Sequence, residues 1–176
     1  MNKKNIEELK NSIRNIPDFP KKGILFRDIT TLLKDGQGFK DAVELIAAKY
    51  QAQKIDKVAA IEARGFIFGG AIAYKLGKGF VPVRKKGKLP AEVFEITYSL
   101  EYGTDTLQVH RDAIGPQDKV LIIDDLLATG GTARAVCQLI ENSGAKIAGI
   151  EFLIELTDLK GIEKLEGYPV SSVIKF

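Results

Sequence analysis

The feature of the sequence that most constrains the fold is the stretch at residues 120–132, VLIIDDLLATGGT. It opens with four apolar, mostly β-branched residues, a pattern typical of a strand buried on both faces of a parallel sheet. Asp124 and Asp125 follow, where that strand is expected to end, and a glycine-containing turn comes next. Residues 133–142 then show helical periodicity, with Gly144 as the expected stop. This order predicts an α/β unit.

The turn and the two acids together predict a site for a phosphorylated sugar. Ligands of open α/β sheets bind beyond the carboxyl ends of the strands, which would put both acids in a crevice. A helix N-terminus offers N–H groups to an anion, and glycines let the backbone close around a phosphate. Asp124 and Asp125 are suited to hydroxyl groups of the same ligand. The residues of this candidate phosphate loop are Ala128, Thr129, Gly130, Gly131 and Thr132.

Neither the turn nor the acid pair is a specific signal alone. A glycine-containing turn is often no more than a tight connection, and paired acids are often a solvated strand end. The combination is more specific. It is not a Walker A loop, because no Gly-Lys-Ser/Thr follows, and it lacks the Gly-x-Gly-x-x-Gly spacing of dinucleotide-binding folds.

Composition narrows the class of protein. With 176 residues, 45% of them hydrophobic and 28% charged, the chain is expected to fold as a single domain over residues 1–176. A net charge of +3 gives no reason to expect nucleic acid or a membrane surface as a partner. The only cysteine, Cys137, excludes an intrachain disulfide and is expected to be buried. The only histidine, His110, excludes a multi-histidine metal site.

The N-terminus lacks the apolar core of a secretory signal. No uncharged apolar run approaches the ~20 residues of a membrane span. A cytoplasmic protein is therefore expected.

Strand and helix patterns alternate along the rest of the chain. Apolar residues recur at helical spacing from Ile6 to Ile16, which predicts an N-terminal amphipathic helix ended by Pro17. The alternation predicts an α/β fold with a doubly wound, mainly parallel sheet flanked by helices, a small N-terminal unit at residues 1–35 and an inserted β-hairpin at residues 89–110. The further predicted helices are residues 39–50, 66–76 and 159–165, and the further predicted strands are residues 58–61, 79–83, 93–100, 106–110, 147–154 and 170–174.

Cations follow two of these predicted strands at the same edge of the sheet. Arg64 lies in a polar turn after the strand at residues 58–61, and residues 84–88, RKKGK, follow the strand at residues 79–83. Each could be only a surface group, but beside the candidate phosphate loop they would neutralise a pyrophosphate well. Pro82 places the internal pairing of the second strand in doubt.

Residues 124–132, DDLLATGGT, resemble the phosphoribosyl-pyrophosphate (PRPP) binding motif of the type I phosphoribosyltransferases, and in particular its form in the adenine-using members of that family. Two other segments are similar to the same members. They are PDFP at residues 17–20 followed by GILFRD at residues 23–28, and LEYG at residues 100–103. The resemblance extends from about residue 17 to the C-terminal end and agrees with the predicted α/β fold.

The resemblance implies a role for the two outer segments. The first would form a hood over the base, in which Leu25, Phe26 and Arg27 contact adenine through apolar packing and main-chain hydrogen bonds. The second would be the catalytic loop, with Glu101 as the catalytic glutamate and Tyr102 beside it. Without the resemblance, Phe26 would be assigned to the core and Glu101 to an ordinary hairpin tip.

The resemblance also implies which groups bind PRPP. The candidate phosphate loop would hold the 5′-phosphate, and Asp124 and Asp125 would bind the ribose hydroxyls. Mg²⁺ is the implied cofactor, held mainly by PRPP, with the same two acids as its candidate protein contacts. The implied pyrophosphate-binding residues are Arg64, Arg84, Lys85 and Lys88.

The implied activity is a purine-salvage reaction in which PRPP and adenine give AMP and pyrophosphate, catalysed by a cytoplasmic homodimer. Three alternatives stay open. The base could be a 6-oxopurine, namely hypoxanthine, guanine or xanthine. The chain could be a PRPP-sensing regulator without catalysis, or a non-catalytic phosphosugar-binding protein. The carboxylate on the hairpin argues against the regulator.

Overall fold

A seven-stranded sheet forms the centre of the computed structural model, which describes residues 3–99 and 103–176. The strands are β1 (Arg14–Pro17), β2 (Leu25–Asp28), β3 (Lys57–Ile61), β4 (Gly79–Lys85), β5 (Val93–Ser99), β6 (Thr104–His110), β7 (Lys119–Leu127), β8 (Lys146–Glu155) and β9 (Val170–Lys175). The helices are α1 (Lys3–Ser12), α2 (Thr30–Leu33), α3 (Gly36–Tyr50), α4 (Gly65–Leu76) and α5 (Gly131–Glu141).

The strand order in the main sheet is β5-β6-β4-β3-β7-β8-β9. The strands from β4 to β9 in this order pair in parallel, and β5 and β6 form an antiparallel hairpin at one edge. The predicted mainly parallel sheet is therefore confirmed.

Helices cover both faces of the sheet, as a doubly wound architecture requires. Within β7, Leu121 and Ile123 pack into the hydrophobic cluster that includes α3 and α4, whereas Val120 and Ile122 pack into the cluster that includes α5. Because successive strand residues point to opposite faces, a strand covered on both faces is a continuous apolar run. Cys137 on α5 is buried, as predicted. Among the described residues, no helix combines the length and apolar character needed to cross a bilayer.

The N-terminal helix is shorter than predicted. α1 ends at Ser12, and β1 then pairs antiparallel with β2 in a separate two-stranded sheet. The apolar spacing continues to Ile16, but Pro17 disfavours helical dihedrals at the residue before it, and pairing with β2 satisfies the backbone instead. Ile13 is buried, so the periodicity identified the packing face but not the helix end.

The short helix predicted at residues 159–165 is present only in part, as 3₁₀ rather than α structure. Two short 3₁₀ turns occupy this region, Thr157–Leu159 and Gly161–Leu165. Lys160 between them has a φ of 51°, a left-handed conformation that interrupts a continuous helix. The turns follow β8 directly, at the carboxyl edge of the sheet.

The pairing of β4 explains how a proline is accommodated in a central strand. β4 pairs with β3 through Val83, and with β6 only at Arg84 and Lys85. Pro82 therefore lies before the second pairing begins, where its missing N–H is not needed. The same two residues join the predicted hairpin to the sheet, so the hairpin is an edge of the sheet.

Candidate active site

A cavity of about 550 Å³ opens at the carboxyl edge of the sheet. Its lining comes from the turn after β3, from β7 and the loop that follows it, and from β4 and the hairpin. Its lining includes Glu62, Ala63, Arg64, Lys85, Tyr98, Asp105, Asp124, Asp125, Ala128, Thr129, Gly130, Gly131 and Thr132. The structure thus brings Arg64, both predicted acids and the whole candidate phosphate loop into one cavity.

The two acids lie within β7 rather than after it, so the predicted strand end was wrong. β7 continues to Leu127 because β8 pairs with it along that length. On its other side, β3 pairs with β7 only as far as Ile123. Asp124 and Asp125 therefore stand where one edge of β7 is open, and this open edge borders the cavity.

Burial governs the charge of both acids. The side chain of Asp125 is 7% exposed, and Asp124 is half-buried. Burial raises the pKa of Asp124 well above its ordinary value, and the neighbouring Asp125 carboxylate raises it further. Burial also raises the pKa of Asp125, although the Arg64 guanidinium opposes that rise. Carboxyl groups perturbed in this way beside a cavity are suited to ligand hydroxyls or a cation.

Arg64 is held beside this pair. It follows the Glu62–Ala63 peptide, which is cis, and directly precedes α4. Its Nε lies 2.9 Å from Oδ2 of Asp125, but the two atoms are not aligned as a hydrogen bond, and this buried oxygen accepts none from the described residues. Because 38% of the Arg64 side chain is exposed, its other N–H groups remain available to an anion.

The candidate phosphate loop connects β7 to α5. Gly130 has a φ of 76°, a left-handed conformation that favours glycine, and α5 begins at Gly131. No side chain of the described residues caps this helix end, so its first N–H groups are available to an anion. Oγ1 of Thr132 lies 3.2 Å from the Tyr98 hydroxyl, which connects the loop to the hairpin.

The predicted pyrophosphate cations at residues 84–88 are placed differently from one another. Lys85 lines the cavity, with its Nζ 3.0 Å from Oδ2 of Asp105. Arg84 instead donates to the Glu62 carboxylate from Nε at 3.3 Å and Nη2 at 3.2 Å, and from Nη1 to the carbonyl of Lys88 at 3.2 Å. The Arg84 hydrogen bonds are the main reason that the pKa of Glu62 is lowered. Arg84 and Lys88 thus lie beside the cavity rather than in its lining.

The predicted hood is the β1–β2 sheet. The ring of Phe26 lies 5.4 Å from the Arg64 guanidinium, which places the hood next to the cavity. Leu25 is 46% exposed. Neither of them, nor Arg27, is among the described residues that line the cavity.

The side chain of Arg27 has other partners. Its guanidinium stacks 3.9 Å above the centre of the Phe176 ring and donates a hydrogen bond to Asn15. These contacts leave the main chain of Arg27, rather than its side chain, as the part that a ligand could contact.

The predicted catalytic Glu101 and its neighbour Tyr102 lie outside the described residues. The strands on either side are described, and Ser99 pairs with Thr104 in the hairpin. Both strands reach the cavity, through Tyr98 on β5 and Asp105 on β6.

Sequence reasoning missed the three remaining polar side chains of the lining, those of Glu62, Tyr98 and Asp105. Glu62 could have been found, because it shares the turn of Arg64 after β3. Tyr98 and Asp105 are paired across the hairpin, so both belong to one position of the ladder. That signal depends on the hairpin register, which the hydrophobic pattern alone does not determine.

Comparison with known proteins indicates one family by two routes, a family model and individual relatives. Residues 29–173 match the family model of the phosphoribosyl transferase domain. Over 168 residues the chain is 55% identical to the adenine phosphoribosyltransferase of Clostridium perfringens, covering 96% of this chain and 98% of that relative. It is 58% identical over 168 residues to the adenine phosphoribosyltransferase of Clostridium kluyveri, with the same 96% and 98% coverage.

Solved structures give the same result at the level of the fold. The adenine phosphoribosyltransferase of Thermoanaerobacter pseudethanolicus has a TM-score of 0.94 and 55% identity, covering 97% of this chain and 99% of that one. The enzyme of the same name from Saccharomyces cerevisiae was solved with adenine and an imino-altritol bisphosphate. It has a TM-score of 0.93 and 38% identity, covering 98% of this chain and 100% of that one.

Proposed function

The chain belongs to the phosphoribosyltransferase family, and we infer that it transfers the 5-phosphoribosyl group of PRPP to adenine, giving AMP and pyrophosphate. Relatives 55% and 58% identical over nearly the whole chain are adenine phosphoribosyltransferases. The structural observation that carries the inference is the cavity in which the candidate phosphate loop, the acid pair and Arg64 meet. The reaction makes the protein a purine-salvage transferase.

The sugar-phosphate end of PRPP is assigned to the loop and the acids. The 5′-phosphate binds at the uncapped start of α5, where N–H groups and the helix dipole favour an anion. Asp124 and Asp125 accept hydrogen bonds from the ribose hydroxyls, because they line the same cavity a few residues before the loop. The residues of the phosphate subsite are Ala128, Thr129, Gly130, Gly131 and Thr132.

The pyrophosphate end is assigned to the cations on the other side of the acids. Breaking the bond at the anomeric carbon develops positive charge on the ribose and negative charge on the leaving pyrophosphate, which fixed cations stabilise. Arg64 and Lys85 line the cavity and fill this role directly. Arg84 and Lys88 join them only in a state in which Arg84 leaves Glu62.

The base is assigned to the hood. Leu25 and Phe26 provide apolar packing, and the main chain of residues 25–27 provides hydrogen bonds to the adenine edge. Main-chain donors and acceptors can reject a 6-oxopurine, because a mismatched pair would be left without a hydrogen bond on binding. Glu101 is proposed as the group that moves a proton at the purine ring, with Tyr102 beside it in the same loop.

Mg²⁺ is the proposed cofactor, and the acid pair fits a metal held mainly by the substrate. The described residues contain no cluster of three or more His, Cys, Asp or Glu that could hold a metal alone. Asp124 and Asp125 could contribute carboxylate oxygens, and Oδ2 of Asp125 is buried without a hydrogen bond from the described residues. Bound on PRPP, the ion would supply charge neutralisation of the pyrophosphate.

We also propose that the chain works as a homodimer in the cytoplasm. The support for the dimer is a set of large apolar side chains exposed on α4 and β4, namely Ile67, Tyr74 and Phe80. Ile67 and Tyr74 are seven residues apart and so lie on one side of α4, and exposed apolar side chains of this kind are typical of protein interfaces.

The direct test is nucleotide formation by the purified protein with PRPP and Mg²⁺, when adenine, hypoxanthine, guanine and xanthine are supplied separately. AMP from adenine alone is the expected result. Product from a 6-oxopurine would retain the PRPP site but contradict the base assignment. Binding of PRPP without product from any base would instead indicate a sensor or a phosphosugar-binding protein.

The catalytic assignment has its own test in Glu101→Ala. Since the carboxylate is proposed to move a proton, kcat should fall by about 10² or more while PRPP still binds. Turnover close to that of the wild type at saturating substrates would contradict this role.

A further inference from the structure

A glycine outside the PRPP motif touches the backbone of the candidate phosphate loop. Gly161 begins the second 3₁₀ turn, some thirty residues after the loop in sequence. A Cβ atom built on Gly161 would lie 2.1 Å from the carbonyl oxygen of Ala128 and 2.9 Å from the backbone nitrogen of Gly130. Because non-bonded carbon and oxygen atoms rarely approach closer than about 3.3 Å, a side chain here would displace the loop by about 1 Å.

The contact is reciprocal. A Cβ atom built on Gly130 would lie 2.2 Å from the carbonyl oxygen of Gly161. Gly130 has a second reason to be glycine, since its φ is 76°. Gly161 has none, because its φ is not in the left-handed region. Position 161 therefore requires glycine because any side chain there would collide with the neighbouring backbone of the loop.

The turn that carries Gly161 is itself anchored. Leu165 at its other end is 1% exposed and packs in the hydrophobic cluster that also holds Leu127 and Ala133, at the two ends of the loop. The backbone nitrogen of Leu156, just before the turns, donates to the carbonyl of Leu127 at 2.9 Å. The 3₁₀ turn is thus a fixed support against which the loop rests.

We propose that Gly161 is a positioning residue for the phosphate loop. It sets where the backbone N–H groups of residues 128–132 lie, and so the affinity for the 5′-phosphate end of the sugar phosphate. This rests on the proposed function, in which that loop binds the 5′-phosphate. Gly161 contacts no substrate and acts only through the backbone of Ala128 and Gly130.

The test is the steady-state kinetics of Gly161→Ala. Since a displacement of about 1 Å at a binding group can cost up to about a hundredfold, KM for PRPP should rise about tenfold or more. KM for adenine at saturating PRPP should stay within about twofold, because the atoms nearest a Cβ built on Gly161 belong to the phosphate loop and not to the hood.

Two other glycines provide matched controls. Gly167 has a φ of 90° and no neighbouring atom within 4 Å of a built Cβ, so Gly167→Ala should lower Tm without changing KM for PRPP. A Cβ atom built on Gly36 also has no neighbouring atom within 4 Å, and the φ of Gly36 is not positive. Gly36→Ala should therefore neither lower Tm nor raise KM for PRPP. Gly167→Ala therefore shows what a loss of stability alone does to KM for PRPP. A rise in KM that occurs in Gly161→Ala but not in Gly167→Ala is due to the displaced loop.

A binding measurement separates this proposal from the proposed function. Ribose 5-phosphate should raise the Tm of the wild type and lose most of that effect in Gly161→Ala, whereas pyrophosphate should protect both proteins equally. Wild type that forms no AMP would refute the proposed function. Active wild type with an unchanged KM for PRPP and unchanged ribose 5-phosphate protection in Gly161→Ala would overturn the positioning role alone.

A second pair of variants decides the matter if Gly161→Ala does not fold. Leu165→Val loosens the anchor of the turn, and Ile72→Val removes a comparable group from the cluster on the opposite face of the sheet. Both substitutions remove one methylene from a buried side chain, so they should lower Tm by similar amounts. Only Leu165→Val should raise KM for PRPP. Equal KM values in the two variants would overturn the proposal.

Discussion

Among single residues, the two acids of the cavity lining are carboxyl groups whose pKa values folding raises. Asp124 and Asp125 are adjacent, and their partial removal from water on folding raises the pKa of both, an effect that the guanidinium of Arg64 offsets only in part. A carboxyl group whose pKa is raised by folding contributes its full stability below the unfolded pKa and loses it as the pH rises through the folded value. At neutral pH the unliganded site therefore destabilises the fold, and ligand hydroxyls or a cation would relieve that effect.

Asp124→Asn should change stability and activity in opposite directions, raising Tm and lowering activity. Asparagine keeps the oxygen that accepts the hydrogen bond from the Asp125 nitrogen but cannot ionise. The variant should have a higher Tm than the wild type, and the difference should grow as the pH rises. Loss of a charged partner for the ribose hydroxyls should lower kcat/KM for PRPP by about tenfold to a hundredfold.

The measurement is Tm against pH for the unliganded proteins, together with AMP formation. Asp112→Asn, at an exposed position, is the matched control and should change neither quantity. A Tm difference that is absent or independent of pH would show that the buried charge of Asp124 does not destabilise the fold.

Among the elements, the β1–β2 sheet, which we propose as the hood, has an ion pair at the end of its second strand. Asp28 ends β2, and Arg14 begins β1 opposite it. Asp28 accepts hydrogen bonds from the Arg14 guanidinium and, at 2.9 Å, from the backbone nitrogen of Thr30. These contacts, with Arg14 the largest cause, lower the pKa of Asp28 to about 2.

Asp28→Asn should weaken the hood in a pH-dependent way. A carboxyl group whose pKa is lowered by folding stabilises the fold above its unfolded pKa of about 3.9, and that contribution is lost as the pH falls towards about 2. At pH 7 the variant should melt about 2–4 °C below the wild type, a modest loss because Arg14 is largely exposed. The two melting curves should converge near pH 2.

Adenine binding provides the functional readout of this change. If the β1–β2 sheet is the base-binding hood, KM for adenine should rise while KM for PRPP stays unchanged. Asp158→Asn, an exposed change in the first 3₁₀ turn, is the control. A rise in KM for PRPP of the same size would place the effect outside the hood.

The elements also show what the sequence can and cannot predict. The buried strand of residues 120–123 and the turn before α5 were predictable, because burial on two faces and glycine-rich turns leave local patterns. The continuation of β7 through Asp124 was not, since it follows from pairing with β8. Two other contacts were also not predictable, because they join residues distant in sequence and no local periodicity encodes them. They are the hydrogen bond from Arg84 to Glu62 and the contact of Gly161 with Ala128.

At the scale of the whole molecule, α4 and the neighbouring β4 carry large apolar side chains that are exposed to solvent. Tyr74 is 89% exposed and Ile67 is 42% exposed, and their spacing of seven residues puts them on the same side of α4. Phe80 on the adjacent β4 is 38% exposed. Exposed apolar side chains of this size favour burial against a second copy of the chain, which is the proposed homodimer.

Tyr74→Glu should convert that dimer to a monomer. The wild type should scatter light with twice the mass of one chain, whereas a glutamate buried in the interface would lose hydration without gaining a partner, which disfavours association. Leu159→Glu places the same charge at a position 48% exposed on another part of the surface and should remain dimeric. Monomeric wild type would refute the dimer, and a Tyr74→Glu protein that stays dimeric would place the interface on a different face.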